Sequence, residues 1–415
     1  MSDLAAGAVA AAALAAAEWA GLPADTVMVD RRLASFWFGW SFLPLGWTAP
    51  PDRDPLSGDY RAADGWIRLH CNAPHHRAAA LAVLGTPPER DAVAGAVRRH
   101  TADALEASVV AAGGCAAAMR SMQTWSQHPQ GIAVREEPLV WLARTGSGPA
   151  PARPDPVRPL AGVRVLDLTR VFAGPACTRA LAGLGADVLR IDPPNWQEPG
   201  NEPEMTLGKR CARLDARDPN ARALLQSLLQ QADIFVHGYR PGALAGLGLG
   251  EAERDRLRPG LVDILLDAYG WTGPWAGRRG FDSLVQMSSG IAAEGMRQTG
   301  ADRPVPLPVQ ALDHAAGWIM AAAALRGLAE RAAGASWRAR TSLARVAALL
   351  APSLRRGERG GALGRPAPAD YADAVETTVW GPLRRLRSPF QIAGAGLQWD
   401  LPAGRLGSAP ARWRD

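Results

Sequence analysis

Lysine is almost absent from this chain: Lys209 stands alone among 46 basic side chains, the rest of which are arginine. These arginines are scattered among 40 acidic residues and form no basic cluster interleaved with aromatics, so a net charge of +6 and a pI near 9.6 do not describe a nucleic-acid-binding surface. Cysteine is scarce as well. Cys71, Cys115, Cys177 and Cys211 lie far apart without C-x-x-C spacing, which argues against a disulfide framework and a zinc site, predicts no metal centre and fits a reducing cytoplasm. A membrane anchor is not expected either. The apolar opening MSDLAAGAVAAAALAAAEWAGL carries Asp3 where a signal peptide has basic residues, and it meets Glu18 before reaching the roughly 20 apolar residues a bilayer requires. It reads as a buried helix.

What is present is an ordinary globular composition, 47% apolar and 21% charged over 415 residues, enough for two or three domains. Two stretches have the make-up of linkers: GSGPAPARPDPVRP at 146–159, and a Gly-, Arg- and Pro-rich run at 353–370 within a second linker spanning 351–375. Between them, GVRVLDL, AGPACTRALAGLGA and DVLRID form a strand–helix–strand unit, and further helix and strand patterns follow through LVDILLDAYG. This alternation predicts an α/β fold: a doubly wound, parallel-sheet, Rossmann-like large domain at 160–350. A smaller α+β domain with a leading helix is expected at 1–145, and a return segment at 376–415. Residues 8–37 also echo 319–348 without gaps, although alanine inflates such a match.

Several constellations bear on chemistry. Asp192 ends the second strand where a ribose-binding acid would sit, but the preceding turn, TRVFAGPACTRAL, lacks G-x-G-x-x-G, which speaks against a dinucleotide site. Gly174 and Pro175 shape a tight entry to a helix whose free N–H groups could face an anionic ligand. Lys209, Arg210, Arg217, Arg240, Arg278 and Arg279 fall on predicted connections, with Tyr239, Trp271, Trp275 and Phe281 beside them. Basic groups with aromatic faces suit a phosphorylated adenine nucleotide. Asp313 directly precedes a long alanine-rich run and reads as the N-cap of a helix, a place that would also hold an ionised, oriented nucleophile. His314 is a possible acid–base group or plain polar lining.

With these motifs in place the chain resembles the family III CoA-transferases, the group of formyl-CoA and carnitine CoA-transferases. The resemblance runs from about Leu160 to Leu350 through PLAGVRVLDLTRVFAGPACTRALAGLGADVLRID, GKRCARLD, ADIFVHGYRPGALAGLGL, GWTGPWAGRRGFDSLVQMSSGI and VQALDHAAGWIMAAAAL. It implies a CoA-transferase that moves CoA from an acyl-CoA to a small carboxylic acid, with Asp313 as catalytic residue passing through an aspartyl anhydride and an aspartyl-CoA thioester. It implies coenzyme A contacts at Arg170, Val171, Phe172 and Ala173, at Leu214, Asp215, Ala216 and Arg217, at Gly238, Tyr239 and Arg240, and at Arg279, Gly280, Phe281 and Asp282. CoA is then a substrate, and no tightly bound cofactor is expected.

Two further implications come from the family. The related α-methylacyl-CoA racemases use a histidine within G-H-D, which here reads Gly280, Phe281, Asp282, so transfer is favoured over racemisation. Family members are interlocked homodimers, and a homodimer is the expected partner arrangement, yet residues 58–87 resemble the family's small domain while preceding the large one. The echo then marks the N-terminal third as the trailing half of a second copy without its own aspartate, which leaves a non-catalytic CoA-binding partner as a third reading.

Overall fold

The computed structural model describes residues 1–51, 53–151, 153–355 and 363–414. At its centre lies a seven-stranded sheet in the order Trp141–Gly146, Ser336–Ser342, Val262–Asp267, Ile234–His237, Arg164–Leu168, Asp187–Asp192, Lys209–Arg213. All neighbours pair in parallel except Trp141–Gly146, which runs antiparallel along one edge. A parallel sheet covered by helices on both faces calls for continuous apolar strands, and Val165, Leu166, Val188, Leu189, Ile234, Phe235 and Val236 are all buried. The chain winds outward from Arg164–Leu168 in one direction and from Ile234–His237 in the other, the doubly wound Rossmann-like order with its switch point between those two strands.

Three placements differ from the sequence expectation. Lys209 and Arg210 lie in the edge strand Lys209–Arg213 instead of on a connection. The Lys209 ammonium is buried, bonded to Asp167 at 3.2 Å and to the Pro175 carbonyl at 2.9 Å, so it is a core ion pair with no ligand to hold. The N-terminal region also supplies the sheet's edge strand through Gly146, where a linker was expected to begin. Within 351–375 the helix Leu343–Arg355 continues past Leu350 and the strand Tyr371–Thr378 begins, while residues 356–362 lie outside the described residues.

The N-terminal module is α+β. Strands Gly58–Arg61, Trp66–Leu69 and Ala116–Ala118 form an antiparallel sheet that shares its own core, including Tyr60, Ile67, Leu105 and Val109, with three helices between Pro74 and Ala111. The return segment closes back on the start of the chain: Gly381–Leu386 pairs with Phe42–Pro44, and Phe390–Ile392 pairs with Val27–Val29.

Helix Ser2–Ala20 is the one described helix long and apolar enough to cross a membrane by length and composition, yet half of it is buried within the protein. It packs along Ala311–Ala332, which in turn packs on Ala173–Gly183. Ala5, Ala8, Ala12, Ala13, Ala16 and Ala17 on one side and Ala315, Ala316, Ala321 and Ala324 on the other are buried, and these small side chains let the helices approach closely. The internal echo has a structural counterpart, because both Ser2–Phe36 and Ala311–Arg355 are built as helix, strand, helix. Close approach is tightest at Gly317, where an added Cβ would stand 2.6 Å from the Ala173 carbonyl oxygen. Gly317→Ala therefore gains about 1 kcal/mol of helix propensity and loses more to overpacking against backbone, for a net destabilisation of about 1–2 kcal/mol. Urea unfolding measures this, and a net stabilisation of about 1 kcal/mol would mean that the helices separate at no cost.

Candidate active site

In a doubly wound sheet the crevice at the carboxyl ends of the strands, at the switch point, is where ligands bind. Here the loops leaving Arg164–Leu168 and Ile234–His237 carry Arg170–Ala173 and Gly238–Arg240, and these line a cleft of about 460 Å³. Val171 has φ 68°, a left-handed conformation that a β-branched residue adopts only under constraint from its surroundings. Its N–H donates to Glu198 at 2.9 Å, and Glu198 is itself held by the buried Arg190. Arg190 also engages Asp192 at 2.8 Å, so the carboxylate that might have bound a ribose is consumed by an internal ion pair. Arg170 donates to the Tyr239 hydroxyl at 2.6 Å and lies 4.9 Å from the centre of the Trp196 ring. Arg240 is exposed in the cleft and has no ion-pair partner among the described residues.

Of the residues expected to contact CoA, Arg170, Val171, Ala173, Gly238, Tyr239, Arg240, Arg279, Gly280 and Phe281 line this cleft together with Asp313. The others sit elsewhere. Phe172 lines a smaller neighbouring cavity and packs against His314. Leu214 and Ala216 share an apolar cluster with Tyr239 behind the wall, while Asp215 and Arg217 pair at the surface at 2.8 Å. Asp282 turns away from the cleft toward the helix that bears Asp313. Arg278 is anchored at 2.7 Å to Glu106 of the N-terminal module, and Trp275, 4.0 Å from it, backs that contact, so both join modules. Trp271 lies beneath the Arg340 guanidinium.

Asp313 does not cap its own helix. The N-cap of Ala311–Ala332 is Gln310, and the N–H groups of Leu312 and Asp313 donate to Asp282 at 2.8 and 3.0 Å. Gln286 donates to the same carboxylate. A carboxylate from outside thus satisfies the helix start, and the Asp313 side chain is left in the first turn with no hydrogen bond among the described residues. Burial, and then the neighbouring Asp282 charge, push its pKa well above the ordinary carboxylate range. Asp282 is itself pushed up to about 6 by burial, against the lowering effect of its hydrogen bonds. His314 points away from both cavities, stacked 5.5 Å from Phe38, and burial lowers its pKa to about 3, so it is core lining.

Residues of the N-terminal module that the sequence did not single out complete the site. His75 and His76 line the main cleft, and Arg53, Arg68 and His70 line the smaller cavity. The Phe281 ring stacks on His70 at 3.6 Å and meets His76 edge-on at 5.8 Å. Burial lowers His70 to about 3 and His76 to about 4, so both are neutral. Three of the chain's seven histidines fall within 70–76, and that local enrichment was the available signal.

With the cleft placed, comparison with known proteins bears on what it belongs to. Residues 160–365 match the profile of CoA-transferase family III, and this part of the chain belongs to that family. Succinyl-CoA:glutarate CoA-transferase of Mus musculus is 34% identical over 192 residues, 43% of this chain and 43% of that protein. Succinyl-CoA–D-citramalate CoA-transferase of Chloroflexus aurantiacus is 36% identical over 151 residues, 33% of this chain and 38% of that protein. A crystal structure of Rv3272 from M. tuberculosis is similar at a TM-score of 0.42 and 29% identity, over 52% of this chain and 63% of that one. The chain spans less than half the length of these two curated relatives.

The carboxyl pair has a consequence for stability. An acid whose folded pKa lies above its unfolded value keeps a proton in the folded state that the unfolded chain has released, so folding loses stability as pH rises from about 4 through the folded value. Asp282 and Asp313 both act in this direction, as does Asp267, which burial pushes to about 7. Urea midpoints at about pH 4.5 and pH 7 should fall toward the higher pH, and the fall should shrink in Asp313→Asn. An equal fall in the variant would show that the pair does not carry it.

Proposed function

We propose that the chain is an acyl-CoA:carboxylate CoA-transferase with Asp313 as its nucleophile. The observation that carries this reading is a buried carboxylate, free of hydrogen bonds among the described residues, at the meeting of two cavities, one of them at the switch point of a family III domain. An Asp313 oxygen attacks the thioester carbonyl, the C–S bond breaks, and CoA leaves as thiolate, giving a mixed anhydride. The thiolate then attacks the Asp313 carbonyl and displaces the acyl carboxylate, leaving an aspartyl-CoA thioester. The acceptor carboxylate repeats the first attack on that thioester, and the thiolate finally takes the new acyl group and frees Asp313. Atoms balance with no further reactant, and each step trades one acyl leaving group for another. The names of the two curated relatives describe the same class of exchange.

In this reading CoA lies along the main cleft, with Arg170, Arg240 and Arg279 toward its phosphates and Tyr239 and Trp196 as flat faces. Leu214–Arg217 and Phe172 contribute indirectly, through the wall. The reacting carboxylate must be ionised, and the helix N-terminus favours this while burial and Asp282 oppose it. We place the enzyme in the cytoplasm, without metal or tightly bound cofactor, and carry the homodimer forward as a proposal about assembly only, since both walls of the cleft come from one chain.

A second reading rests on His76, whose two ring nitrogens are buried without hydrogen-bond partners among the described residues, in the cleft that also holds Asp313. Neutral imidazole opposite a carboxylate is the pairing an α-proton exchange needs, and it would replace the histidine absent at Phe281.

Incubation with an acyl-CoA followed by hydroxylamine trapping and peptide mass analysis should mark Asp313, and Asp313→Ala should lose on the order of a thousandfold or more in turnover. An unmarked Asp313 with turnover intact would sink the proposal. Deuterium entering the substrate α-carbon from solvent, without any acceptor acid and lost in His76→Gln, would favour the second reading. Arg240→Ala should raise KM for the CoA ester about tenfold with kcat little changed, as expected for a charge-assisted contact made equally in ground and transition states. A loss confined to kcat would remove Arg240 from the phosphate-binding role.

A further inference from the structure

Asp313 opens on two cavities, and the smaller of them, of about 80 Å³, does not end there. It runs on into a third cavity of about 200 Å³ and shares with it Arg53, His70, Asn72, Val171, Asn201 and Phe281. The third cavity shares only Val171, Trp196 and Phe281 with the main cleft, so these residues form the wall between the two. Its outer rim is exposed at Pro51 and Asn72 on the N-terminal module and at Gln197 and Pro199 on the loop that follows Asp187–Asp192. Both sides of the rim are braced. Asn72 accepts the Asp54 N–H at 3.1 Å and the Ser57 hydroxyl at 2.7 Å, and Arg213 donates to the Trp196 carbonyl at 2.8 Å. Trp196 and Asn201 line the cavity, and the buried indole Nε1 of the first and Oδ1 of the second have no hydrogen-bond partner among the described residues. Buried polar atoms left in this way are places where a polar ligand group can bond.

In the proposed exchange CoA stays joined to Asp313 as a thioester while one acid leaves and another arrives. The acid's route must therefore be open with CoA seated, and CoA, much the larger ligand, lies along the main cleft as far as Asp313. We infer that small carboxylic acids reach and leave Asp313 by a second opening, through the third cavity and the smaller one, while CoA alone uses the main cleft. This rests on the reading of Asp313 as the acyl-accepting group. The Trp196 N–H is then a donor that an incoming carboxylate meets on its way. The carboxylates on the same wall, Asp54 and Glu198, are paired with Arg77 at 3.4 Å and with the buried Arg190, so they present no bare charge to a passing acid. Racemisation needs no such route, because it releases no acid.

The test plugs the second opening reversibly. Cys71, Cys115, Cys177 and Cys211 are all buried, so a cysteine placed on the exposed rim is the one a thiol reagent reaches. Gln197→Cys and, on the facing side, Pro51→Cys are each modified in the full chain with benzyl methanethiosulfonate. Two quantities are then measured: exchange of isotopically labelled acetate into acetyl-CoA and of labelled succinate into succinyl-CoA, which reports passage of the acid, and the Kd of CoA by titration calorimetry, which reports the main cleft. Modification should slow acid exchange about tenfold or more, leave the Kd of CoA within about twofold, and be reversed by dithiothreitol. Recovery on reduction shows that the slowing is obstruction and not unfolding. Acid exchange unchanged in both modified variants, or CoA affinity falling in step with exchange, would overturn the second route while leaving CoA transfer intact. Absence of acid exchange with both esters in the unmodified protein would instead count against the transfer reading, and the route would fall with it.

Discussion

The site is organised by where the helix Ala311–Ala332 begins. A helix N-terminus presents N–H groups that something must accept, and here the Asp282 carboxylate takes those of Leu312 and Asp313. That choice settles three matters together. It fixes the helix origin without using Asp313, whose oxygens stay open to the cavities. It places a negative charge next to Asp313, which with burial keeps that carboxyl a strong base. It also ties Asp313 to the cleft wall, because Asp282 directly follows Gly280 and Phe281, and its partner Gln286 accepts the Leu307 N–H at 2.7 Å on the approach to the helix. A shift of the wall therefore moves the cap, and a shift of the cap moves Asp313.

Closure of the cleft by the N-terminal module is equally specific. Gln130 donates to the carbonyls of Tyr269 and Thr272 at 2.9 and 2.8 Å and accepts from the Trp275 N–H at 2.7 Å. Glu137 accepts the N–H groups of Trp271 and Thr272, both at 2.8 Å, and Arg278 reaches across to Glu106. The Gln130 and Glu137 bonds go to the backbone of the loop that leads into Arg279–Phe281, so the module holds the loop in shape as well as covering it. Together with the pairing of Ser2–Ala20 against Ala311–Ala332, they give one chain both walls of one cleft.

Much of this was legible in the sequence because it depends on local pattern. Buried strands read as apolar runs and the alternation gave the winding, while the loops at 170–173 and 238–240 were pointed to by the resemblance to family III and lie where the strands' carboxyl ends open on the cleft. What failed depended on contacts through space. Asp before an apolar run is the usual local cap, but Asp282, about thirty positions upstream, takes that role. Lys209 reads as an exposed charge until Asp167 is known to lie beside it in the core. Leu214–Arg217 match their motif in sequence, yet Asp215 satisfies Arg217 locally and the segment stays behind the cleft wall. The strand Trp141–Gly146 was hidden by the proline-rich run that follows it. Arg68 carried no signal of its own, and the histidine enrichment that includes His76 did not say what it would meet, since nothing in 58–76 indicates that it will face residues near 281 and 313.

Two cavities meeting at one carboxylate suit a carrier better than a simple hydrolase. In the proposed exchange the thiolate must wait in the main cleft while the displaced acid leaves, and water must not reach the anhydride between the two events. Val171, held in its left-handed conformation by Glu198, stands in the wall common to both cavities, with Phe281 clamped by His70 and His76 beside it. A residue kept at a conformational cost in that position, backed by a buried Arg190–Glu198 pair, is rigid where a looser loop would admit solvent. The strain at Val171 and the desolvation of Asp313 are thus two parts of one arrangement: a rigid junction that, in the proposed exchange, would keep water from the anhydride.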